Sequence, residues 1–114
     1  MTIYHIASKD EWDQAKKKGH YDFCSLKTEG FIHSSTENQF LEVANRLFRG
    51  KDGLVLLEIE ERLVESEIIY ENLEGGEEKY PHIYGPLNLS AIVKVHPFPC
   101  GEDGFFQSPL VKAK

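Results

Sequence analysis

Features that would place this chain at once in a familiar class are scarce. It contains two cysteines, Cys24 and Cys100, which lie far apart and form no C-x-x-C pair, so two free thiols are expected rather than a disulfide. No apolar run approaches the roughly 20 residues that a membrane-spanning helix needs. Residues 1–7 are too short for a secretory signal and are followed by charges. We therefore expect a cytoplasmic protein without a membrane partner.

A surplus of positive charge is missing as well. The 114 residues include 19 acidic and 13 basic side chains, which gives a net charge of −6. Proteins that bind long nucleic acids use a basic surface, because neutralising phosphates supplies most of their affinity. The one dense basic run, at residues 16–18, is expected at an exposed helix end. The composition argues against a long nucleic acid as partner and leaves room for a small anionic ligand.

Common catalytic and metal-binding motifs are also absent. The chain has no G-x-G-x-x-G, no P-loop, no H-E-x-x-H and no Cys–His spacing typical of structural zinc. Cys24 lacks the local features of a catalytic nucleophile. We therefore expect no bound metal, and any chemistry must come from other side chains.

The length and the apolar pattern predict one domain that spans residues 1–114. Ser8 and Glu11 form a capping box for a helix that ends before Gly19. Apolar residues at helical spacing predict a second helix after a capping box formed by Thr36 and Gln39. Short strands are predicted at residues 2–7, 31–34, 54–59, 68–71 and 91–95. Strands mixed with two main helices, without βαβ repetition, favour an α+β fold with small mixed or antiparallel sheets.

Histidines carried on strands are the first candidates for chemistry. His5, His33 and His82 fall in short strand-like segments that a small sheet must bring together, whereas His20 and His96 are expected on the surface. An imidazole titrates near neutral pH and both donates and accepts hydrogen bonds. The alternative is that each of the three is half-buried and bonded to the main chain.

Two further segments suit a ligand. Ser34 and Ser35 precede a helix N-terminus, where free N–H groups favour a phosphate or carboxylate, although one hydroxyl is needed for capping. Residues 80–87 (YPHIYGPL) form either a rigid aromatic wall, in which Tyr84 and Gly85 meet a planar ring, or a tight turn with Tyr84 in the core. Glu71 either orients a histidine or a sugar hydroxyl, or is an exposed strand-end carboxylate. Residues 72–79 form a surface loop or a lid.

The order of motifs resembles an uncharacterised bacterial domain family, catalogued as a domain of unknown function. The resemblance rests on YHI near the start, EGFIHSS, QFLEVANRLF, LVLLEI, YPHIYGPL and a late DGFF, and it covers nearly the whole chain. More distantly, FIHSS followed by VANR and LVLLEI resembles the RNA 2′-phosphotransferases. Those enzymes belong to the ADP-ribosyltransferase superfamily, whose members bind NAD in a cleft between two small sheets.

This resemblance implies an ADP-ribosyltransferase-like fold and roles for particular residues. His5 would be the first-strand histidine that bonds the NAD ribose, His33 and Ser35 would match the second-strand motif, and Arg46 would match the helix arginine. The chain departs from the pattern because HIYGPL contains no acid where many transferases have a late glutamate. By helical wheel, Arg46 also points away from the apolar stripe of its helix.

Three functions remain as hypotheses. The first is binding of NAD or a related nucleotide, with ADP-ribosyl transfer or glycosidic cleavage as the reaction. The second is a non-enzymatic module on the same fold that binds a small molecule or a protein. The third is a metal-dependent hydrolase built on His5, His33, His82 and Glu71.

Overall fold

Two three-stranded antiparallel sheets and two helices form the framework of the protein. The computed structural model describes residues 2–22, 28–72 and 78–109. The elements are β1 (Thr2–Ser8), α1 (Lys9–Lys18), β2 (His20–Tyr21), β3 (Ile32–His33), α2 (Phe40–Leu47), β4 (Leu54–Glu60), β5 (Glu67–Glu71), β6 (Tyr80–Tyr84), β7 (Leu87–Asn88) and β8 (Ile92–Pro97). Short 3₁₀ helices lie at Glu61–Leu63 and Leu89–Ala91. The predicted α+β class with small antiparallel sheets is confirmed.

The first sheet has the strand order β1-β4-β8, so the apolar run of β4 lies in the middle, as its sequence predicts. Side chains alternate across this sheet. Ile3 and Leu57 face one hydrophobic core, whereas Tyr4 and Leu56 face a second core on the opposite side. Both faces of the sheet are therefore covered, and β1 can direct polar side chains only into gaps in these cores.

The second sheet has the order β3-β6-β5 and provides the floor of the candidate site. Ile32 pairs with Ile83, and both are fully buried in the first core. His33 pairs with His82 on the other face of the same strands. The segment YPHIY is thus a central strand and not a tight turn. Alternation along β3 and β6 places two imidazoles side by side.

Helix α1 follows its sequence signals closely. Ser8 accepts a hydrogen bond from the main chain of Glu11, whose side chain bonds back to Ser8, and Gly19 ends the helix at a φ of 91°. Helix α2 begins at Phe40, later than predicted, because residues 37–39 form a turn. Only half of the predicted capping box forms there, with the Gln39 side chain accepting from the main-chain N–H of Thr36.

The two sheets meet through the main chains of Tyr4 and Ser35. Each N–H donates to the other residue's carbonyl oxygen at 2.7 Å. This antiparallel bridge ties the edge of β1 to the segment that follows β3. It also fixes the width of the gap between the first sheet, the second sheet and α2.

One prediction is wrong, and two others lie partly outside the described residues. His96, expected on the surface, is buried, and its Nε2 lies 3.2 Å from a carboxylate oxygen of Glu58. Cys100 is a free thiol, while Cys24 lies outside the described residues, as does most of the 72–79 loop. Phe106 packs into the second core. No helix in the described ranges is long and apolar enough to cross a membrane.

Candidate functional site

A pocket of about 470 Å³ opens between β1, the segment before α2, α2 itself and the second sheet. Its lining combines aromatic and aliphatic walls with a small group of polar side chains. The lining residues used below are Tyr4, His5, Phe31, His33, Ser34, Ser35, Arg46, Leu47, Phe48, Tyr80 and His82. Such a volume falls within the range of about 300–1,000 Å³ that is usual for small-molecule sites.

Three rings are clustered on the pocket-facing side of the second sheet. The rings of His33 and His82 lie edge to face, with centroids 5.3 Å apart. Phe31 stacks on His82 at 4.3 Å and contacts His33 at 4.8 Å. Phe31 lies in a bend just before β3, and its contacts with both imidazoles place its ring on the same side of the sheet. The predicted convergence of histidines from distant segments is therefore present for His33 and His82.

Glu71 projects from the neighbouring strand β5, and its carboxylate contacts the ring of His82. One carboxylate oxygen lies 3.0 Å from Nδ1 of His82 and also accepts the hydroxyl hydrogen bond of Tyr84. The Tyr84 hydroxyl first, and His82 second, lower the pKa of the Glu71 carboxyl. The same contact raises the pKa of Tyr84. Glu71 is thus an ionised orienting group, one of the two roles that the sequence left open.

This arrangement determines which nitrogen of His82 is available. An ionised carboxylate only accepts, so Nδ1 of His82 donates its proton to Glu71. In the neutral ring Nε2 is then an acceptor, and it makes no hydrogen bond within the described part of the chain. The His82 side chain is only 6% exposed, yet it lines the pocket. The open nitrogen can therefore meet a ligand.

His33 has a similar partner but a more open setting. Its Nε2 lies 2.9 Å from a carboxylate oxygen of Glu29, and the side chain is 48% exposed. Water screens an ion pair in such a position, so the pair adds little stability. The contact with Glu29 therefore holds the His33 ring only weakly.

His5 borders the pocket, and both of its ring nitrogens contact protein atoms. It lies on the face of β1 that meets the first core, and its Nδ1 contacts the main-chain oxygen of His33. Its Nε2 lies 2.9 Å from the hydroxyl of Tyr21. Since a carbonyl only accepts, Nδ1 carries the proton and Nε2 accepts from Tyr21. Burial lowers the pKa of His5 to about 4, so the ring is neutral at pH 7.

The two serines of FIHSS also have separate roles. The main chain of Ser35 forms the bridge to Tyr4. Ser34 is buried, and its hydroxyl oxygen is the one fully buried side-chain N or O atom of the described residues that lacks a partner. An unpaired buried hydroxyl costs about 1–3 kcal/mol, which bound water or a ligand group would recover. Neither hydroxyl caps α2, whose cap residue is Gln39.

Helix α2 supplies the opposite wall. Its buried side chains Phe40 and Ala44 pack into the second core, while Leu47 and Arg46 border the pocket. Arg46 lies 3.1 Å from Glu42 and is 42% exposed, so it is solvated as its position on the helix predicts, yet it reaches the pocket. Across the gap, burial and the Glu58 carboxylate raise the pKa of Tyr4 to about 12.

Two predicted ligand-binding residues do not border the pocket. Tyr84 contacts Phe31 at 5.2 Å and bonds Glu71, so it supports the floor without lining it. Gly85 lies in the turn after β6, where its φ is 147° and an added Cβ would come within 2.5 Å of Ser66 Oγ. The glycine is therefore required by the close approach of the Ser66 side chain.

The histidine set proposed for a metal-dependent hydrolase is not arranged as a ligand group. His5 uses both ring nitrogens internally, and His33 and His82 each hold a different glutamate. Over residues 2–22, 28–72 and 78–109, no three His, Cys, Asp or Glu side chains form a cluster suited to a metal ion.

Comparison with known proteins identifies the family and the fold. The family described as "Protein of unknown function (DUF952)" matches residues 6–95. The chain belongs to the DUF952 family. A crystal structure of protein CC0527 from Caulobacter crescentus is 35% identical, has a TM-score of 0.84, and covers 94% of this chain and of its own. A solution NMR structure of CC0527 is 36% identical with a TM-score of 0.81, and covers 93% of this chain and 91% of its own.

No protein of curated function matches this DUF952 chain significantly. Several lining residues of its pocket were not predicted from the sequence, among them Phe31 and Leu47, whereas Tyr80 belongs to the aromatic wall that is one interpretation of residues 80–87. Alternation along the strand predicted at residues 31–34 would have placed Phe31 on the same face as His33. Leu47 could not be separated from the core-facing residues of α2, because a helical stripe does not reveal where the core ends and a pocket begins.

Proposed function

We propose that the pocket binds NAD or a related nucleotide in the manner of an ADP-ribosyltransferase-like domain. The observation that carries the proposal is the pairing of His33 with His82 on a ring-covered sheet face inside a pocket of about 470 Å³. Pockets for small molecules combine apolar walls with a few converging polar groups that fix orientation. This pocket, situated between two small sheets, has that composition.

The aromatic walls suit the planar rings of a nucleotide. Phe31 and Tyr80 border the pocket from the second sheet, and Tyr4 and Phe48 border it from the opposite side. Aromatic side chains bind flat rings by offset or edge-to-face contact, worth about 0.5–1.5 kcal/mol beyond the buried area. We assign the stacking role, which was first expected for Tyr84, to these four residues.

The polar groups suit ribose and phosphate. Nε2 of His82 can accept a hydroxyl hydrogen bond, and the partnerless hydroxyl of Ser34 can pair with a ligand or with bound water. Arg46 is the one Lys or Arg among the described lining residues, so it is our candidate for a phosphate contact. We give His5 an indirect role, because its ring holds the main chain of His33 in place.

Calorimetry with NAD and ADP-ribose tests the proposal. We expect micromolar to millimolar dissociation constants, and His33→Ala should weaken binding about tenfold if one hydrogen bond to a charged or polar ligand group is lost. His20→Ala is the matched control, since His20 is an exposed strand histidine outside the pocket lining. Equal heats for both variants, or no heat for either ligand, would contradict the proposal.

A second candidate is a binding module that holds a nucleotide without changing it. It is favoured by the absence of an acidic residue from β6 and by the hydrogen bonds that already occupy Glu71. Incubation of the protein with NAD, followed by chromatography of the nucleotides, separates the two. Release of nicotinamide above the blank supports catalysis, whereas intact NAD together with measurable binding supports the module.

A further inference from the structure

Glu71, His82 and Tyr84 form a hydrogen-bonded unit whose open end is one imidazole nitrogen. Tyr84 and His82 both donate to the same carboxylate oxygen of Glu71, which fixes the His82 ring against rotation. Phe31 stacks on the ring and restricts it further. A histidine whose orientation and tautomer are set by a carboxylate is the arrangement that general bases use to accept a proton.

We propose that Nε2 of His82 is the proton acceptor of the pocket and that it serves a hydroxyl, either of a bound acceptor molecule or of water. This inference rests on the proposed nucleotide site and names the acceptor class for that site. Glu71, which orients the His82 ring, comes from the neighbouring strand β5.

The corresponding reaction needs only NAD and the molecule that carries the hydroxyl. The hydroxyl oxygen forms a bond to the anomeric carbon of the ribose as the bond from that carbon to the nicotinamide nitrogen breaks. The electron pair of the broken bond neutralises the ring of the departing nicotinamide. The hydroxyl proton passes to Nε2 of His82 and is later released to solvent. With water as the acceptor the product is ADP-ribose.

The other histidines serve as internal comparisons for His82, because their rings differ in burial and in the partners of their ring nitrogens. His5 is buried with both nitrogens in contact with protein atoms, and His96 is buried with Nε2 next to Glu58. His20 is exposed. Diethyl pyrocarbonate acylates an accessible, unprotonated imidazole nitrogen. We therefore expect fast modification at His20, measurable modification at His82, and little at His5 or His96.

The test combines peptide mass spectrometry of this modification with nitrogen-15 NMR of the imidazole rings in the wild-type protein. We expect that the proton of the neutral His82 tautomer lies on Nδ1, and that acylation occurs at Nε2. Glu71→Gln should slow the acylation of His82 about threefold or more, because a neutral amide is a weaker acceptor than a carboxylate. Glu67→Gln, on the same face of β5, should leave the rate unchanged.

Addition of ADP-ribose separates this inference from the proposed function. Protection of His82 by ADP-ribose, but not by nicotinamide, which has no hydroxyl, supports both. Calorimetric binding of ADP-ribose without protection of His82 overturns the assignment of His82. Absence of binding overturns the nucleotide proposal and the acceptor class with it. In that case the tautomer of His82, measured by NMR, still tests the hydrogen bond from Nδ1 of His82 to Glu71. A proton found on Nε2 would overturn the assignment of that bond.

Discussion

His5 and His33 are joined from ring to main chain and not from ring to ring. Nδ1 of His5 contacts the carbonyl oxygen of His33, while the His33 ring turns outward to Glu29. The first histidine therefore fixes the backbone on which the second is displayed. Because the sheet pairs His33 with His82, this contact adds to the bridge between Tyr4 and Ser35 in linking β1 to the floor of the pocket.

The buried, neutral state of His5 predicts a pH-dependent stability. The pKa of His5 is about 4 in the folded protein and 6.5 in the reference state. Between these values the unfolded chain binds the additional proton, so the free energy of unfolding decreases as the pH falls from 6.5 to 4. The contribution of His5 to this decrease is about 3 kcal/mol.

Urea unfolding at several pH values measures this effect. In His5→Gln the free energy of unfolding should decrease less steeply between pH 6.5 and pH 4 than in the wild type. His20→Gln, which changes an exposed histidine, should show the same pH dependence as the wild type. If the free energy of unfolding depended on pH equally in both variants and in the wild type, His5 would not be the group that causes the pH dependence.

Removal of the Tyr21 hydroxyl should destabilise the protein by about 1–2 kcal/mol, because Nε2 of His5 would lose its donor in a buried place. Tyr21→Phe keeps the ring, so the change isolates the hydrogen bond. Tyr80→Phe is the control, since the Tyr80 hydroxyl bonds an exposed partner at 3.4 Å, and its effect should stay within about 0.5 kcal/mol. Thermal unfolding of both variants compares them, and equal losses would argue against the His5 contact.

Gly85→Ala should destabilise the protein because the new methyl group would overlap Ser66 Oγ and because the backbone angle disfavours a side chain. The expected loss is about 2 kcal/mol. Combination with Ser66→Gly removes the overlap but not the backbone cost, so part of the loss should be recovered. If nucleotide affinity fell in Gly85→Ala while stability did not, the ligand-binding role first expected for Gly85 would be supported instead.

Arg46→Gln should lower the affinity for ADP-ribose about tenfold, the loss expected for one charge-assisted hydrogen bond worth about 1.5 kcal/mol. The effect should shrink with added salt because the side chain is partly exposed. Arg49→Gln is the matched control, since Arg49 stacks on Phe105 outside the described pocket lining. Equal losses of affinity in the two variants would point to the overall charge and not to a contact of Arg46.

Local signals in the sequence predicted the framework well. The capping box at Ser8 and Glu11, the glycine stop at Gly19 and the apolar run of β4 are each decided by neighbouring residues, and each is present. The pairing of His33 with His82 depends on strand register over 49 positions of sequence, which no local pattern specifies. The sequence could therefore name both histidines and could not place them 5.3 Å apart.

The missed features share the same physical cause. The role of Glu71 depends on its neighbour across the β5–β6 pair, and the hydrogen bond at Nε2 of His5 depends on Tyr21, which lies 16 positions away. His96 was expected at the surface, yet Glu58 from β4 partners it in a buried place. In each case a polar side chain found its partner through tertiary contact.

The measurement that tests the central claim most directly is a two-dimensional NMR titration of the labelled protein with ADP-ribose. The account predicts that the amide and imidazole signals that shift belong to the residues around the pocket, above all His33, Ser34 and His82. Signals of α1 and β8, which lie outside the pocket lining, should stay in place. Shifts confined to another surface, or no shifts at millimolar nucleotide, would contradict the account.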